Sequence, residues 1–177
     1  TDILSLLKVL DNPRGDIELA AVLRSPLFSF TDDELLTIRL IDNNEKTNRL
    51  SGYYECVLKY ITSGNDISLR DRLSATLRRL NEWRHLADCS GIASMLWHVY
   101  RQTGYLSFVS ALPKGRQRRA NLLDLHSRAV QFEESGGTSE RGIAAFVEFI
   151  EKLIDEKGDY SPADVLAPGE NVVRIMS

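Results

Sequence analysis

Apolar residues recur every three or four positions along most of this chain, which is the spacing of one face of an α-helix. Two segments show the spacing most clearly, a long one over residues 67–88 and a final one that begins near residue 143. The pattern predicts an all-α fold, a compact multi-helix domain. The inward positions of these two helices are predicted to be Leu69, Leu73, Leu77, Leu80, Trp83, Ala87, Ile143, Phe146, Val147, Ile150, Leu153 and Ile154.

Capping residues predict where several helices begin and end. Thr31-Asp32-Asp33-Glu34 has the form of a capping box, in which the Thr and Glu side chains accept from backbone amides of the first turn. Asp16 and Ser90 are predicted N-caps, and Gly104 is well placed to end a helix. The apolar segment at residues 105–109 is predicted only as a connector, without a helix or strand assignment.

Residues 171–177 differ from the rest because their β-branched side chains are typical of a β-strand. A lone strand needs a pairing partner for its backbone N–H and C=O groups, and no other segment supplies an obvious one. Thr1 also opens almost directly inside a helix pattern. We therefore expect a piece of a longer protein, with a helical domain at residues 1–170 and a C-terminal strand at residues 171–177 that returns to a sheet outside this chain.

Composition limits the classes of function. A chain of 177 residues fits one domain, and a net charge of −3 with 27% charged residues predicts no uniformly basic surface. Any nucleic-acid contact must therefore be local. Cys56 and Cys89 lack metal-type spacing, and no apolar run reaches membrane length, so we expect a cytoplasmic protein with free thiols and no membrane partner.

The sequence offers no clear catalytic or metal-binding residue. Gly136-Gly137 lacks the lysine and the preceding strand of a phosphate-binding loop, so a turn is favoured. Asp32-Asp33-Glu34 could be mistaken for the acidic pair that holds magnesium in ATPases. It follows no strand, however, and capping already explains acidic residues in a first helical turn. We therefore predict no cofactor and no metal in this chain.

The histidines are interpreted as structural. His85, His98 and His126 fall on three different predicted helices without the close spacing of a zinc pair. His85 and Cys89 are one helical turn apart, which is a weak signal for a nucleophile or a metal site. A small hydrolase that uses this pair or other dispersed groups stays open as an enzymatic alternative.

Lys114, Arg116, Arg118 and Arg119 form the densest group of like charges. Cations this close together can neutralise phosphates along one nucleic-acid strand, which predicts salt-dependent binding without sequence preference. They can equally pair with acidic helices of this chain or of a neighbouring domain. The tryptophans and tyrosines do not interleave with the cluster in sequence, so no stacking platform for single strands is indicated.

Several segments resemble UvrD-like superfamily 1 helicases. VVRIMS at residues 172–177 is similar to the strand that leads into the motif V region of these helicases. LLKVLDNP at residues 6–13 and DIELAAVLRSP at residues 16–26 resemble the entry into their 2B region, a helical insertion of the second motor domain. A closer likeness, to the A subunits of AddAB-type helicase/nuclease complexes, lies in SMLWHVY at residues 94–100, TGY at residues 103–105 and RRANL at residues 118–122.

The resemblance implies a parent protein that hydrolyses ATP with Mg²⁺, moves along DNA, unwinds double-strand-break ends and degrades strands for recombinational repair. Its ATP site, motor motifs and RecB-like nuclease domain would lie outside this chain. The chain itself would be a non-catalytic, 2B-type accessory domain. It would guide a duplex with a single-stranded tail, contact the B subunit of the complex, or do both. The alternative is a self-contained helical interaction module with no DNA role.

One segment departs from the UvrD-like pattern. Many members follow the entry helix with a glycine-containing, often basic turn that touches duplex DNA, whereas this chain has the apolar turn SPLFSFT at residues 25–31. An apolar turn favours packing inside the domain or against the partner subunit over a duplex contact.

Overall fold

The computed structural model describes residues 2–41, 51–135 and 142–156. Within these ranges the chain forms nine helices and no strand, which confirms the all-α prediction. The predicted strand at residues 171–177 and the glycine pair at residues 136–137 lie outside the described residues. The helices are α1 Asp2–Asp11, α2 Asp16–Arg24, α3 Asp32–Leu40, α4 Tyr53–Ser63, α5 Ile67–Ser90, α6 Ile92–Thr103, α7 Tyr105–Ala111, α8 Gly115–Ser135 and α9 Ile143–Glu156.

A single hydrophobic core joins these helices. α1 lies at its centre, because it packs against α2, α5 and α9 and buries Leu6, Leu7 and Leu10 almost completely. α5 also packs against α4 and α6, while α6, α7 and α8 pack against one another. The predicted inward faces of α5 and α9 are confirmed, since every one of these side chains is buried or packs partly buried against the core: Leu69, Leu73, Leu77, Leu80, Trp83, Ala87, Ile143, Phe146, Val147, Ile150, Leu153 and Ile154.

The apolar turn at residues 25–31 packs inside the domain, as predicted from its composition. Phe30 is buried, and the ring of Phe28 lies 5.7 Å from the ring of Trp83. The guanidinium of Arg72 lies 4.4 Å from the centre of the Phe30 ring, which is a cation–π contact. The aromatic side chains of this turn therefore contribute to the core and the surface around it.

Two predicted helix ends are confirmed. Thr31 caps α3 through the complete capping box, in which Glu34 N donates to Thr31 Oγ1 at 3.2 Å and Thr31 N donates to Glu34 Oε2 at 2.8 Å. Gly104 ends α6 with a left-handed backbone, at a φ of +66°. Glycine adopts this conformation without the steric penalty that a Cβ would add.

The segment at residues 105–109 belongs to a helix, α7, rather than to an open connector. The carbonyl of Gly104 accepts from the amides of Ser107 and Phe108, both at 3.0 Å, so one glycine ends α6 and begins α7. The next helix also begins earlier than the apolar spacing indicates. α8 starts at Gly115, so the basic stretch occupies its first turns instead of preceding it.

The predicted N-cap role of Asp16 is wrong. Asp16 is the first residue of α2, and Gly15 stands at the cap position without a side-chain hydrogen bond. The Asp16 carboxylate instead accepts from Tyr53 N at 2.7 Å, at the start of α4. It therefore caps a helix that lies far away in sequence.

The predicted N-cap role of Ser90 is also wrong. Ser90 is the last residue of α5, and Gly91, with a φ of +89°, joins α5 directly to α6. The free amides at the start of α6, those of Ile92 and Ala93, donate to Glu133 Oε1 of α8, the second at 3.1 Å. A carboxylate at this position satisfies two amides and complements the helix dipole.

Replacing Glu133 by alanine removes the acceptor for both amides. We expect the free energy of unfolding to fall by about 1–2 kcal/mol, measured by urea denaturation. Glu133→Gln should cost less, because its amide oxygen still accepts. The exposed neighbour Glu134 provides the control, since Glu134→Ala should change stability by less than about 0.5 kcal/mol. Equal stabilities for the two alanine variants would show that Glu133 does not cap α6.

Candidate nucleic-acid interface

The four basic residues predicted to contact DNA lie where α7 meets α8. Lys114 ends the connecting turn with a φ of +58°, and Arg116, Arg118 and Arg119 lie in the first turns of α8. All four side chains are exposed. They form no ion pair with any residue of the described ranges. Pairing with acidic helices of this chain therefore finds no support in the part that the structure describes.

Close packing of α7 against α8 holds this junction in place. Gly115 is buried, and a Cβ added there would lie 2.6 Å from the carbonyl carbon of Ser110 and would overlap its oxygen. No larger residue fits without moving one backbone away from the other. The orientation of the basic turn therefore depends on a glycine whose role the sequence pattern did not indicate.

The cluster does not form one group, because Arg118 lies one and two positions from Arg119 and Arg116 on α8, and residues at these spacings do not face each other on a helix. Arg116 and Arg119 are three residues apart on α8 and share a face. Arg118 Nε donates to Pro113 O at 3.0 Å, and its charge lies near the hydroxyl of Tyr105. The structure thus separates an outer pair of arginines from one at the junction of α7 and α8.

Tyr105 links this junction to α1. Its hydroxyl donates to Asp2 Oδ2 at 2.7 Å. Burial, and then the hydrogen bond to the Asp2 carboxylate, raise the pKa of Tyr105 well above its usual value, while the nearby Arg118 acts in the opposite direction. Tyr105 therefore stays a neutral donor, and Asp2 is engaged inside the domain.

α6 and α8 run antiparallel along a shared seam. At one end of the seam, Glu133 of α8 accepts from the Ala93 amide at the start of α6. In the middle, the Trp97 ring of α6 lies 5.3 Å from the His126 ring of α8, and further along, Tyr100 OH of α6 donates to Leu122 O of α8 at 3.2 Å. Along the seam, later residues of α6 meet earlier residues of α8. The last turn of α6, which carries the exposed Arg101, therefore lies toward the first turns of α8. Arg101 is a further cation that the sequence reasoning missed.

The sequence does contain a feature that points to Arg101, namely a long stretch around it without acidic residues. The chain contains 25 aspartates and glutamates, yet residues 90–123 contain none. This stretch forms α6, α7 and the first turns of α8, which pack on one another. Of the carboxylates near its borders, Asp2 and Glu133 make the hydrogen bonds described above. Asp32 pairs with Arg24 at 3.0 Å and Asp124 pairs with Arg128 at 2.7 Å, while Asp88 is exposed near the start of α6, at the far end from Arg101. The surface is therefore locally basic despite the net charge of −3.

The His85–Cys89 pair lies on the exposed surface of α5. Cys89 Sγ is 3.5 Å from His85 Nε2. In the described ranges no group of three or more His, Cys, Asp or Glu side chains could hold a metal ion. Cys89 also borders a cavity of about 450 Å³, together with Glu133, whose carboxylate caps α6. A third group that would orient the pair for nucleophilic chemistry is not found among these residues.

Membrane insertion of a single helix has no support in the described ranges, since no helix there combines the length and the apolar character needed to span a bilayer.

Comparison with curated proteins matches nearly the whole chain. It is 44% identical over 174 residues, 98% of its length, to the A subunit of the ATP-dependent helicase/nuclease of Alkaliphilus metalliredigens. The corresponding values are 45% over 175 residues, 99% of the chain, for the A subunit from Thermoanaerobacter pseudethanolicus, and 43% over 174 residues, 98% of the chain, for that from Geobacillus thermodenitrificans. The chain is homologous to a segment of helicase/nuclease A subunits.

The match covers only a small part of each relative. The chain spans 14%, 13% and 14% of these three proteins, respectively. No family model matches the chain. The likeness to helicase/nuclease A subunits predicted from the sequence is confirmed, while the assignment to the 2B region stays a prediction.

Replacing Gly115 by alanine should disturb the junction that carries the basic residues. We expect a loss of about 2 kcal/mol or more in the free energy of unfolding, because the added Cβ collides with backbone and not with a flexible side chain. Thermal or urea denaturation measures this. Gly142→Ala is the matched control, since a Cβ there meets nothing within 4 Å. Wild-type stability of Gly115→Ala would contradict the close α7–α8 approach.

Proposed function

We propose that this chain is a non-catalytic accessory domain, of the 2B type, within an ATP-dependent DNA helicase/nuclease protein that processes double-strand-break ends for recombinational repair. The supporting observation is the match of nearly the whole chain to one segment of helicase/nuclease A subunits. Residues 1–170 would form the accessory domain, and residues 171–177 would lead back into the second motor domain. The cytoplasm is the location that this role implies.

The domain would guide DNA with the surface of residues 90–123, which carry no aspartate or glutamate and form α6, α7 and the first turns of α8. Arg116 and Arg119 are exposed, lie on one face and make no ion pair in the described ranges, so their charges are free to neutralise phosphates. Phosphate contacts of this kind position DNA without reading its sequence. Sequence-independent contact suits a domain that must hold whatever DNA the motor delivers.

A second role, contact with the B subunit, is favoured by exposed apolar side chains on α2 and α3. Ile17 is 82% exposed, and Leu36 and Leu40, one turn apart on α3, are 56% and 49% exposed. Apolar side chains that neighbour one another at the surface favour protein contact. The same observation supports the alternative of a helical interaction module with no DNA role.

The chemistry would belong to the rest of the parent protein, which would bind ATP and Mg²⁺. This domain would position the DNA and would contribute no reacting group, and it would need no cofactor of its own. We therefore expect the purified 177-residue chain to show no DNA-stimulated ATP hydrolysis and no degradation of labelled DNA. Turnover above that of a buffer control, abolished by His85→Ala or Cys89→Ala, would instead favour the hydrolase alternative.

The DNA role predicts a charge-dependent affinity for a duplex with a single-stranded tail. Reversal of two charges in Arg116→Glu/Arg119→Glu should weaken binding about tenfold or more at low salt and should reduce the slope of log K against log salt by about 2. Fluorescence anisotropy over a salt series measures both quantities. Arg118 is left intact because it faces the junction with Tyr105.

The matched control is Arg78→Glu/Arg79→Glu, which reverses two exposed arginines of α5 and changes the net charge equally. It should bind nearly as well as the wild type. Equal losses in both variants would mean that only net charge matters. No binding by the wild type at concentrations sufficient for weak non-specific association would favour the interaction module.

A further inference from the structure

Trp97 is an exposed aromatic side chain beside the basic surface. It lies on the outer side of α6 and is 41% exposed, whereas Trp83, the other tryptophan, is 1% exposed. The Trp97 ring contacts the ring of His126 on α8, with centroids 5.3 Å apart and planes inclined by 52°. An indole held against a second ring on one side and open to solvent elsewhere can accept a further flat partner.

The helix geometry aligns these rings with the cations. His126 and Arg119 are seven residues apart on α8, which is two turns, so they lie on one face. Arg101 follows Trp97 by four residues on α6, which is one turn. Arg101 follows Trp97 on α6, whereas Arg119 precedes His126 on α8. Because the two helices are antiparallel, both arginines lie on the same side of the Trp97–His126 ring pair. The chain separates Trp97 from the basic cluster in sequence, and the fold brings them onto one surface.

The electrostatic surroundings suit a polyanion. The surface containing Trp97, Arg101 and Arg119 belongs to residues 90–123, which carry no aspartate or glutamate. Along α8, the distance from Arg116 to His126 is about 15 Å at the helical rise, a length that a few nucleotides can cover. A ring pair with cations to one side is the combination that holds single strands, since bases stack while phosphates are neutralised.

We propose that Trp97 and His126 form a stacking platform for the bases of a single DNA strand, whose phosphates are neutralised by Arg101, Arg116 and Arg119. A single strand is favoured over a duplex because the bases of a duplex are already stacked on one another and offer the indole no free face. The inference rests on the proposed DNA role and specifies its substrate as the separated strand.

Two oligonucleotides of equal length separate stacking from charge: one of deoxythymidine and one of abasic deoxyribose phosphates. Both carry the same phosphates, but only the first has bases. We expect the wild type to bind the thymidine oligonucleotide more tightly and with quenching of tryptophan fluorescence, which reports on Trp97 because Trp83 is buried. Trp97→Ala should weaken thymidine binding about 5- to 10-fold and leave abasic binding unchanged.

Further variants make the test specific. Trp97→Phe keeps a ring and should retain most of the affinity, which also covers the case that Trp97→Ala does not fold. Phe108→Ala is the matched control, since Phe108 is 44% exposed but lies on α7 beside Arg24 and Asp32. It should bind as the wild type does. Arg116→Glu/Arg119→Glu should weaken binding of both oligonucleotides.

The outcomes separate the two proposals. If the wild type shows no preference for bases, or if a folded Trp97→Ala keeps the full preference of the wild type, while Arg116→Glu/Arg119→Glu still loses affinity, the stacking platform is wrong and the DNA role stands. If the wild type binds neither oligonucleotide nor the tailed duplex, the DNA role is wrong and the stacking platform with it.

Discussion

The packing of α8 against α6 and α7 is the constraint on which the functional surface depends. α8 is a mostly polar helix that buries Gly115, Leu125 and Ala129, and its Leu122, Val130 and Phe132 pack partly buried against the core. Its position follows from close contacts at both ends: Gly115 against the backbone of Ser110, and Glu133 on the amides of α6. Together these contacts determine where the arginines of its first turns and His126 lie.

Carboxylates from one helix cap the start of another in this fold. Asp16 of α2 accepts from Tyr53 of α4, and Glu133 of α8 accepts from Ile92 and Ala93 of α6. A helix leaves its first amides without partners, and an unsatisfied amide away from water is costly. Because the acceptors come from distant segments, the starts of α4 and α6 become stable only when those segments are in place. Helix formation and tertiary packing are therefore coupled.

The charge of the domain is unevenly distributed. Its net charge of −3 predicts repulsion from DNA at long distance. Arg101, Arg116 and Arg119, however, belong to residues 90–123, which contain no aspartate or glutamate. Salt screens charges beyond about 8–10 Å, so a strand near this surface senses the local cations more than the acidic remainder. Such a distribution would favour one orientation of the domain on DNA over all others.

The sequence by itself determined the features that depend on near neighbours along the chain. The 3.6-residue spacing predicted the helices and the inward faces of α5 and α9, and the capping box at Thr31 and the left-handed end at Gly104 were predicted correctly because all their atoms lie within one turn. The likeness to helicase/nuclease A subunits also came from short segments of sequence. The cluster Lys114, Arg116, Arg118 and Arg119 was visible, but not the separation of Arg118 from the others.

Only the tertiary structure decided the features that join distant residues. The caps on α4 and α6 and the contact of Trp97 with His126 each depend on how helices cross. The placement of Arg101 toward the first turns of α8, inferred from the antiparallel order of α6 and α8, depends on the same crossing. The spacing of residues along one helix predicts which face is buried, but it does not predict which other helix packs against that face. For the same reason Gly115 gave no signal in the sequence, since its role is to let the backbone of α7 approach α8.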